Sequence, residues 1–111
     1  MKSGRGFLLV LVTAPDVKTG RKLARTCCES RLAACVNLLT SLESHYWWKG
    51  RLEKSREVLL LIKSRSRNIE SLEAIIKKEH PYQTPEIIAV PVTLGSEQYL
   101  SWWKHELRGR S

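Results

Sequence analysis

The order in which strand-like and helix-like stretches alternate is the feature that most constrains the fold of this chain. Phe7 to Val12 is a continuous apolar run, which is typical of a strand buried on both faces. From Val17 to Ser30, apolar and basic side chains occupy opposite helical faces, and Asp16 stands where an N-cap is expected. These residues predict a strand followed by an amphipathic helix that lies on a sheet.

A long hairpin is predicted next. Leu32 to Leu39 has the composition of a second buried strand, and Thr40-Ser41 interrupts it as a bend or bulge would. The strand continues through Ser44 to Trp48 and turns at Lys49-Gly50. The chain then returns antiparallel and ends in the apolar run Val58 to Ile62. Together these stretches predict a long β-hairpin arm with its tip near residue 50.

A second helix and a further strand follow the hairpin. Ser66 to Glu79 carries an inward apolar stripe, and Glu86 to Val92 has strand composition. After a turn at residues 93–95, Ser96 is a candidate N-cap for a closing helix from Glu97 to Arg108. The order β-α-β-β-α-β plus a C-terminal helix predicts an α+β, ferredoxin-like fold. We expect one domain over residues 1–111, with flexible ends at 1–6 and 109–111.

One face of the predicted sheet lacks helices, although the strands are apolar on both sides. The arm also carries Tyr46, Trp47 and Trp48, and such an aromatic patch seldom stays exposed on a monomer. We therefore expect self-association, bare sheet face against bare sheet face, in closed rotational symmetry. The three arm aromatics are the predicted contacts with a neighbouring subunit.

The composition limits the partners of the chain. A formal net charge of +8 raises nucleic acid as a partner, but the basic residues are spread along the chain, and Glu53 and Glu57 interrupt their densest group. Nucleic acid binding is therefore not favoured. No apolar run approaches the roughly 20 residues that cross a bilayer. Phe7 to Val12 is also too short for a signal-peptide core, so we expect the three cysteines to be reduced thiols in the cytoplasm, and they lack zinc-type spacing.

The stretch from His80 to Val92 has the composition of a small polar site. Its three prolines fix the backbone and favour extended conformation in the residues before them. His80, Tyr82 and Glu86 are thus held on a stiff segment, and an imidazole, a phenol and a carboxylate can form a ligand or metal cradle. The alternative is a loop-to-strand connection whose polar groups cap a helix and bond to the backbone.

Six stretches are informative when they are taken together. They are Leu11 to Asp16, Arg31 to Asn37, Tyr46 to Gly50, Val58 to Lys63, His80 to Glu86 and Tyr99 to Trp102. In this order they resemble the CutA divalent-cation-tolerance family over nearly the entire chain. The resemblance implies a ferredoxin-like subunit in a tight homotrimer, similar in outline to the PII signalling trimers. It also implies a cytoplasmic protein linked to tolerance of copper and other divalent metals.

The resemblance implies a set of metal residues. His80 matches the position most tied to metal, and Cys35 and Glu86 match positions near the clefts between subunits. This chain has Val12 where some bacterial members have cysteine, and Glu79 where they have a second histidine. Without the soft thiolate at the first position, Glu79 and His80 suit a harder divalent ion better than Cu(I).

Four further residues resemble those that line the clefts between subunits: Trp48, Lys63, Tyr82 and Tyr99. The resulting hypothesis is a cytoplasmic homotrimeric metal-tolerance protein that binds a divalent metal such as copper or zinc in these clefts. The alternative is a PII-like small-ligand-binding signalling or scaffold trimer. An enzyme with His80 as base is less favoured, because the sequence yields no nucleophile–base–orienter set and no phosphate-cradling glycine loop.

Overall fold

Six strands and three helices build the domain in the computed structural model, which describes residues 1–109. The strands are β1 (Lys2–Ser3), β2 (Phe7–Ala14), β3 (Cys35–Trp48), β4 (Arg51–Arg65), β5 (Ile87–Pro91) and β6 (Leu94–Gly95). The helices are α1 (Val17–Glu29), α2 (Ile69–Glu79) and α3 (Glu97–His105). The main sheet is antiparallel in the order β3-β4-β2-β5. The predicted α+β, ferredoxin-like fold is confirmed.

The main core lies between the sheet and helices α1 and α2. It consists of alternate side chains of the central strands and the inward stripes of the two helices, among them Val10, Val12, Leu60, Ile62, Leu23, Cys27, Leu72 and Ile76. Gly20 brings α1 close to the sheet, because a Cβ at this position would stand 2.8 Å from a methyl of Val58. The apolar periodicity of the helices is thus satisfied against one sheet face.

The predicted caps and the predicted arm are present. The Asp16 carboxylate accepts a 2.7 Å hydrogen bond from the Thr19 backbone N–H, and Ser96 caps α3. The β3–β4 register shifts between residues 39 and 42, where Ser41 has φ +66°, so the expected bulge is confirmed. Lys49 and Gly50 both have positive φ, as a tight two-residue hairpin turn requires. The part of the hairpin beyond the bulge, from Leu42 to Glu57, is called the arm below.

Several element boundaries differ from the prediction. β3 begins at Cys35 rather than at Leu32, because the backbone N–H groups of Leu32 and Ala33 donate to the last turn of α1, at the Cys27 carbonyl. Residues 66–68 form a 3₁₀ turn before α2. Helix α3 ends at His105, three residues before the predicted end, where Glu106 turns as its C-cap.

The N-terminal end is paired rather than free. The sequence predicted flexible residues 1–6 and a turn at residues 93–95, whereas β1 pairs antiparallel with β6. A 2.8 Å backbone hydrogen bond from the Gly4 N–H to the Thr93 carbonyl extends this pairing. Of the predicted flexible C-terminal end, residues 110 and 111 lie outside the described residues. No helix within residues 1–109 has the length and apolar character of a membrane span.

The sheet face opposite α1 and α2 is apolar and largely uncovered by the rest of the described chain. Side chains directly opposite each other on neighbouring strands share a face. Its two cross-strand rows are Val90–Leu9–Lys63–Cys35 and Ile88–Leu11–Leu61–Asn37, with Leu39 beside Leu59. These residues are called the open sheet face below. Helix α3 covers only its end, where Trp103 meets Phe7 edge to face at 5.2 Å.

Candidate functional site

A cavity of about 670 Å³ lies where the base of the arm meets the segment that follows α2. Aromatic and carboxylate side chains line it together with hydroxyls, and they include Tyr46, Trp48, Glu57, Tyr82, Thr84 and Glu86. We call it the arm-base cavity. Its position follows from the fold, because the bulge bends β3 while the prolines hold the segment after α2 in extended conformation.

A short hydrogen bond joins the two sides of the arm-base cavity. The Tyr82 hydroxyl donates to Oε2 of Glu57 at 2.6 Å, and Glu57 is a buried residue of β4. Burial, followed by this hydrogen bond, raises the pKa of Tyr82 well above its ordinary range. The phenol is therefore held in its protonated, donating form.

Glu86 supplies a second carboxylate to the arm-base cavity. Burial of the carboxyl group, and then the negative charge of Glu57, raise the pKa of Glu86 above its usual value. Glu86 is nevertheless accessible to solvent on the described chain. Two carboxylates in one cavity disfavour each other's charge, and a bound cation would relieve this repulsion.

His80 is a structural residue of the segment that forms the cavity wall. Its side chain is buried, with Nε2 2.7 Å from the Thr13 carbonyl oxygen and Nδ1 accepting a 3.1 Å hydrogen bond from the Tyr82 backbone N–H. This pattern fits a neutral imidazole that donates from Nε2. Because both ring nitrogens are engaged, the geometry favours the alternative interpretation in which His80 bonds to the backbone.

The four predicted metal residues are not brought together within one chain. Glu79 accepts a 3.0 Å hydrogen bond from the Thr26 hydroxyl of α1, and Cys35 lies on the open sheet face. Of the four, only Glu86 lines the arm-base cavity. Throughout residues 1–109, no group of three or more His, Cys, Asp or Glu side chains is placed to hold a metal ion.

The four predicted cleft residues divide into two groups. Trp48 and Tyr82 line the arm-base cavity. Lys63 and Tyr99 instead meet on the open sheet face, where Lys63 Nζ donates to the Tyr99 hydroxyl at 3.0 Å. The same ammonium group lies 2.9 Å from Oδ1 of Asn37 and 3.7 Å from Sγ of Cys35. The hydrogen bond that Lys63 donates to the Tyr99 hydroxyl is the main cause that raises the pKa of Lys63.

The three predicted interface aromatics do not share one face of the arm. Tyr46 and Trp48 alternate with Trp47 along β3, and strand geometry places alternate side chains on opposite faces. Tyr46 and Trp48 are wall residues of the arm-base cavity, whereas Trp47 is 73% exposed. Their contact with a neighbouring subunit stays a prediction.

Sequence reasoning missed Glu57 as a site residue and treated it only as a charge that interrupts a basic stretch. Glu57 directly precedes the apolar run of β4 and is only 8% exposed. A glutamate directly beside a buried strand could have indicated a buried carboxylate with a specific hydrogen-bond partner, because charged groups are rarely buried without one. Its partner, Tyr82, lies 25 positions further along the chain.

Tyr82→Phe is expected to alter the alkaline stability of the protein. The pKa of Tyr82 is raised in the folded state, so its stabilising contribution is complete below the unfolded value of about 10 and is lost as pH rises above it. The variant should therefore lack the part of the loss of stability at alkaline pH that ionisation of Tyr82 causes. At neutral pH its unfolding free energy should be about 1.5–3 kcal/mol lower, which is the usual contribution of a hydrogen bond to a charged group. Urea unfolding from pH 7 to pH 11 measures both effects.

Tyr46→Phe is the matched control, because it removes a hydroxyl from an exposed tyrosine of the same cavity and leaves the Tyr82–Glu57 hydrogen bond in place. It should retain the alkaline loss. If the unfolding free energy of Tyr82→Phe fell between pH 7 and pH 11 as much as that of the unmodified protein, the Tyr82–Glu57 hydrogen bond would not be the cause of this decrease.

Comparison with known proteins gives consistent results. The family model described as CutA1 divalent ion tolerance protein matches residues 8–106. The divalent-cation tolerance protein CutA of Pectobacterium atrosepticum is 44% identical over 101 residues, 91% of this chain and 92% of that protein. The chloroplastic protein CutA of Arabidopsis thaliana is 42% identical over 91% of this chain, which spans only 56% of that relative. The crystal structure of CutA1 from Oryza sativa gives a TM-score of 0.92 at 37% identity, covering 97% of this chain and 99% of that one.

Proposed function

Because the chain belongs to the CutA1 divalent ion tolerance family, we propose that it acts in divalent-cation tolerance as a homotrimeric binding protein, with the arm-base cavity as its ligand site. The observation that carries this proposal is the cavity itself. It has the volume of a small-molecule pocket, and it combines aromatic walls with a few convergent polar groups. The proposal keeps the metal-tolerance role of the first hypothesis from the sequence and takes the small-ligand site from its PII-like alternative.

The open sheet face supports assembly of the subunits. Leu39, Ile88 and Val90 are about half exposed on it, at 51%, 50% and 41%. A continuous apolar surface of this kind marks a protein–protein interface, and closed rotational symmetry buries the same surface on each copy. A trimer would also bring an arm of one subunit near the cavity of another, as the family resemblance implies.

The residues of one subunit do not fit a copper or zinc centre. Zinc is normally held by three or four protein ligands, whereas His80 has no free ring nitrogen and Glu79 and Cys35 face elsewhere. We therefore propose that the protein contributes to divalent-cation tolerance without a metal centre built from His80, Glu79, Glu86 and Cys35 of one chain.

The family description names tolerance of divalent ions and no catalysed reaction. We propose a binding protein rather than an enzyme, since the buried carboxylate of Glu57 is hydrogen-bonded to the Tyr82 phenol, and the raised pKa of that phenol keeps it protonated rather than activated as a nucleophile. A cytoplasmic location is supported by the three unpaired cysteines. Burial raises the pKa of Cys27 to about 12, so this thiol is an unreactive packing residue.

Ser44→Trp is expected to abolish the contribution of the chain to copper tolerance. Ser44 lines the arm-base cavity, and an indole at this position would occupy the volume that a ligand needs. Cells that lack their own family member and produce this chain should regain growth in copper-supplemented medium. Cells that produce Ser44→Trp at equal abundance and in the same oligomeric state should not.

Ser101→Trp is the matched control, because Ser101 is an exposed residue of α3 away from the cavity. It should restore growth as the unmodified chain does. Full growth with Ser44→Trp would overturn the cavity as the functional site, and no growth with the unmodified chain would overturn the role in tolerance.

A further inference from the structure

The arm-base cavity has the opposite charge to the chain that contains it. The chain has a formal net charge of +8. The described residues that line the cavity nevertheless include the carboxylates of Glu57 and Glu86 and no lysine or arginine. Burial of a carboxylate is costly unless a positive group compensates it. On a basic protein, a cavity with this lining selects cations over anions.

The walls of the arm-base cavity are aromatic. Tyr46, Trp48 and Tyr82 belong to its lining, and the first two are exposed, at 41% and 42%. The face of an aromatic ring attracts a cation within about 6 Å, and tryptophan does so best. The Trp48 ring already shows this behaviour, because the Lys49 ammonium group lies 5.8 Å from its centroid. The cavity therefore offers a cation π-faces as well as carboxylates.

A bare metal ion does not match this lining. Aromatic faces supply no lone pairs to a divalent ion, and the only imidazole in the lining, His45, has Nε2 2.8 Å from Oε2 of Glu43. Two carboxylates remain, fewer than the ligands that zinc takes from a protein. The volume also exceeds what an ion requires and matches that of an organic molecule.

From these observations, and on the premise that the arm-base cavity is the ligand site of the proposed function, we propose that its ligand is a small organic cation. The ligand carries an amine or quaternary ammonium group. The charged group lies between Glu57 and Glu86, and its apolar substituents contact the rings of Tyr46, Trp48 and Tyr82. The Tyr82–Glu57 hydrogen bond holds one carboxylate and one ring in place for it.

Three probes that share a phenyl ring and differ in the charge of its substituent test this assignment by isothermal titration calorimetry of the assembled protein. They are benzyltrimethylammonium, benzyl alcohol and benzoate. We expect one benzyltrimethylammonium per subunit, benzyl alcohol at least about tenfold weaker, and no heat with benzoate, since ion pairing and cation–π attraction together exceed a tenfold gain. Equal affinity for the cation and the alcohol would overturn the proposal.

Matched substitutions locate the binding site. Glu86→Gln removes a carboxylate from the cavity, and Trp48→Leu removes a ring; each should weaken the binding of the cation about tenfold. Glu70→Gln on the exposed face of α2 and Trp102→Leu, whose tryptophan is 44% exposed, change the same residue types elsewhere and should leave the affinity unchanged. Equal weakening in the two control variants would place the cation outside the cavity.

Acid should weaken the binding. Glu86 shares the cavity lining with Glu57 of β4, Tyr82 of its own segment, and Tyr46 and His45 of β3, and the Lys49 ammonium group lies over the ring of the lining residue Trp48. As pH falls, Glu86 takes up a proton earlier than an ordinary glutamate because its pKa is raised. Protonation removes a negative charge from the cavity, so affinity for benzyltrimethylammonium should fall between pH 7 and pH 4. A rise in affinity would contradict the assignment.

An ammonium group can also come from a lysine of a neighbouring subunit. In that case the assembled protein would bind no probe, whereas the monomer produced by a charged substitution in the open sheet face would bind benzyltrimethylammonium. This result would overturn the proposal that the cavity binds a free organic cation.

The copper-tolerance assay distinguishes failure of this inference from failure of the proposed function. If the chain restores growth but binds no cation, only the organic-cation ligand is refuted. If the unmodified chain does not restore growth, the proposed function is refuted.

Discussion

Leu61→Glu is expected to convert the assembly into monomers. Leu61 lies at the centre of the open sheet face, opposite Leu11 of β2 and Asn37 of β3. A carboxylate introduced there would be removed from water in every subunit, and burial of a charge costs several kcal/mol even with a cation such as Lys63 on the same face. In a closed ring the same penalty recurs in each copy. Sedimentation equilibrium at micromolar concentration should give the mass of one chain.

Lys22→Glu is the control for this substitution. It introduces the same side chain on the exposed face of α1, on the other side of the sheet. It should keep the mass of the assembly. The monomeric variant should retain its far-ultraviolet circular dichroism, because Leu61 does not belong to the core beneath α1 and α2. A trimer of unchanged stability in Leu61→Glu would show that the open sheet face is not the interface.

His80→Ala is expected to lower the unfolding free energy by about 2–6 kcal/mol, because it leaves the Thr13 carbonyl and the Tyr82 N–H without their buried partner, at about 1–3 kcal/mol for each group. It also removes a ring whose centroid lies 4.7 Å from that of Tyr82. Affinity for copper and zinc, measured by titration at a temperature where the variant stays folded, should not change.

The control is His105→Ala, which removes an exposed ring that bonds to the Ser101 carbonyl at 2.7 Å and should cost about 0.5–1.5 kcal/mol, as for one ordinary hydrogen bond. If the His80→Ala variant instead kept its stability and lost its affinity for copper, the imidazole of His80 would be a metal ligand. Its hydrogen bonds to the backbone would then contribute little to stability.

Most of the fold followed from local patterns. The Asp16 and Ser96 caps, the bulge at Ser41 and the turn at Lys49-Gly50 are each specified by a few adjacent residues, and each is present. The start of β3 was misplaced by three residues because Leu32 and Ala33 are apolar like strand residues. These two residues are buried because they follow the C-terminal end of α1 and hydrogen-bond to its last turn, and hydrophobic periodicity does not distinguish this position from a strand.

The candidate site was only partly predictable. The sequence identified Tyr82, Glu86 and Trp48, and the structure places all three in the arm-base cavity. It also grouped Lys63 and Tyr99 with them, whereas these two residues form a separate cluster. Residue type indicates what a side chain can do, but the sheet register decides which side chains meet.

The sequence by itself determined the elements, their order and the family, because hydrophobic periodicity, capping residues and ordered motifs are properties of neighbouring positions. Only the tertiary structure decided the chemistry of the site. It engaged both nitrogens of His80, paired Glu57 with Tyr82 and separated Cys35 from Glu86. The reason is physical: a buried polar group must find a partner, and which partner is in reach depends on how distant strands and loops pack rather than on the residues beside it.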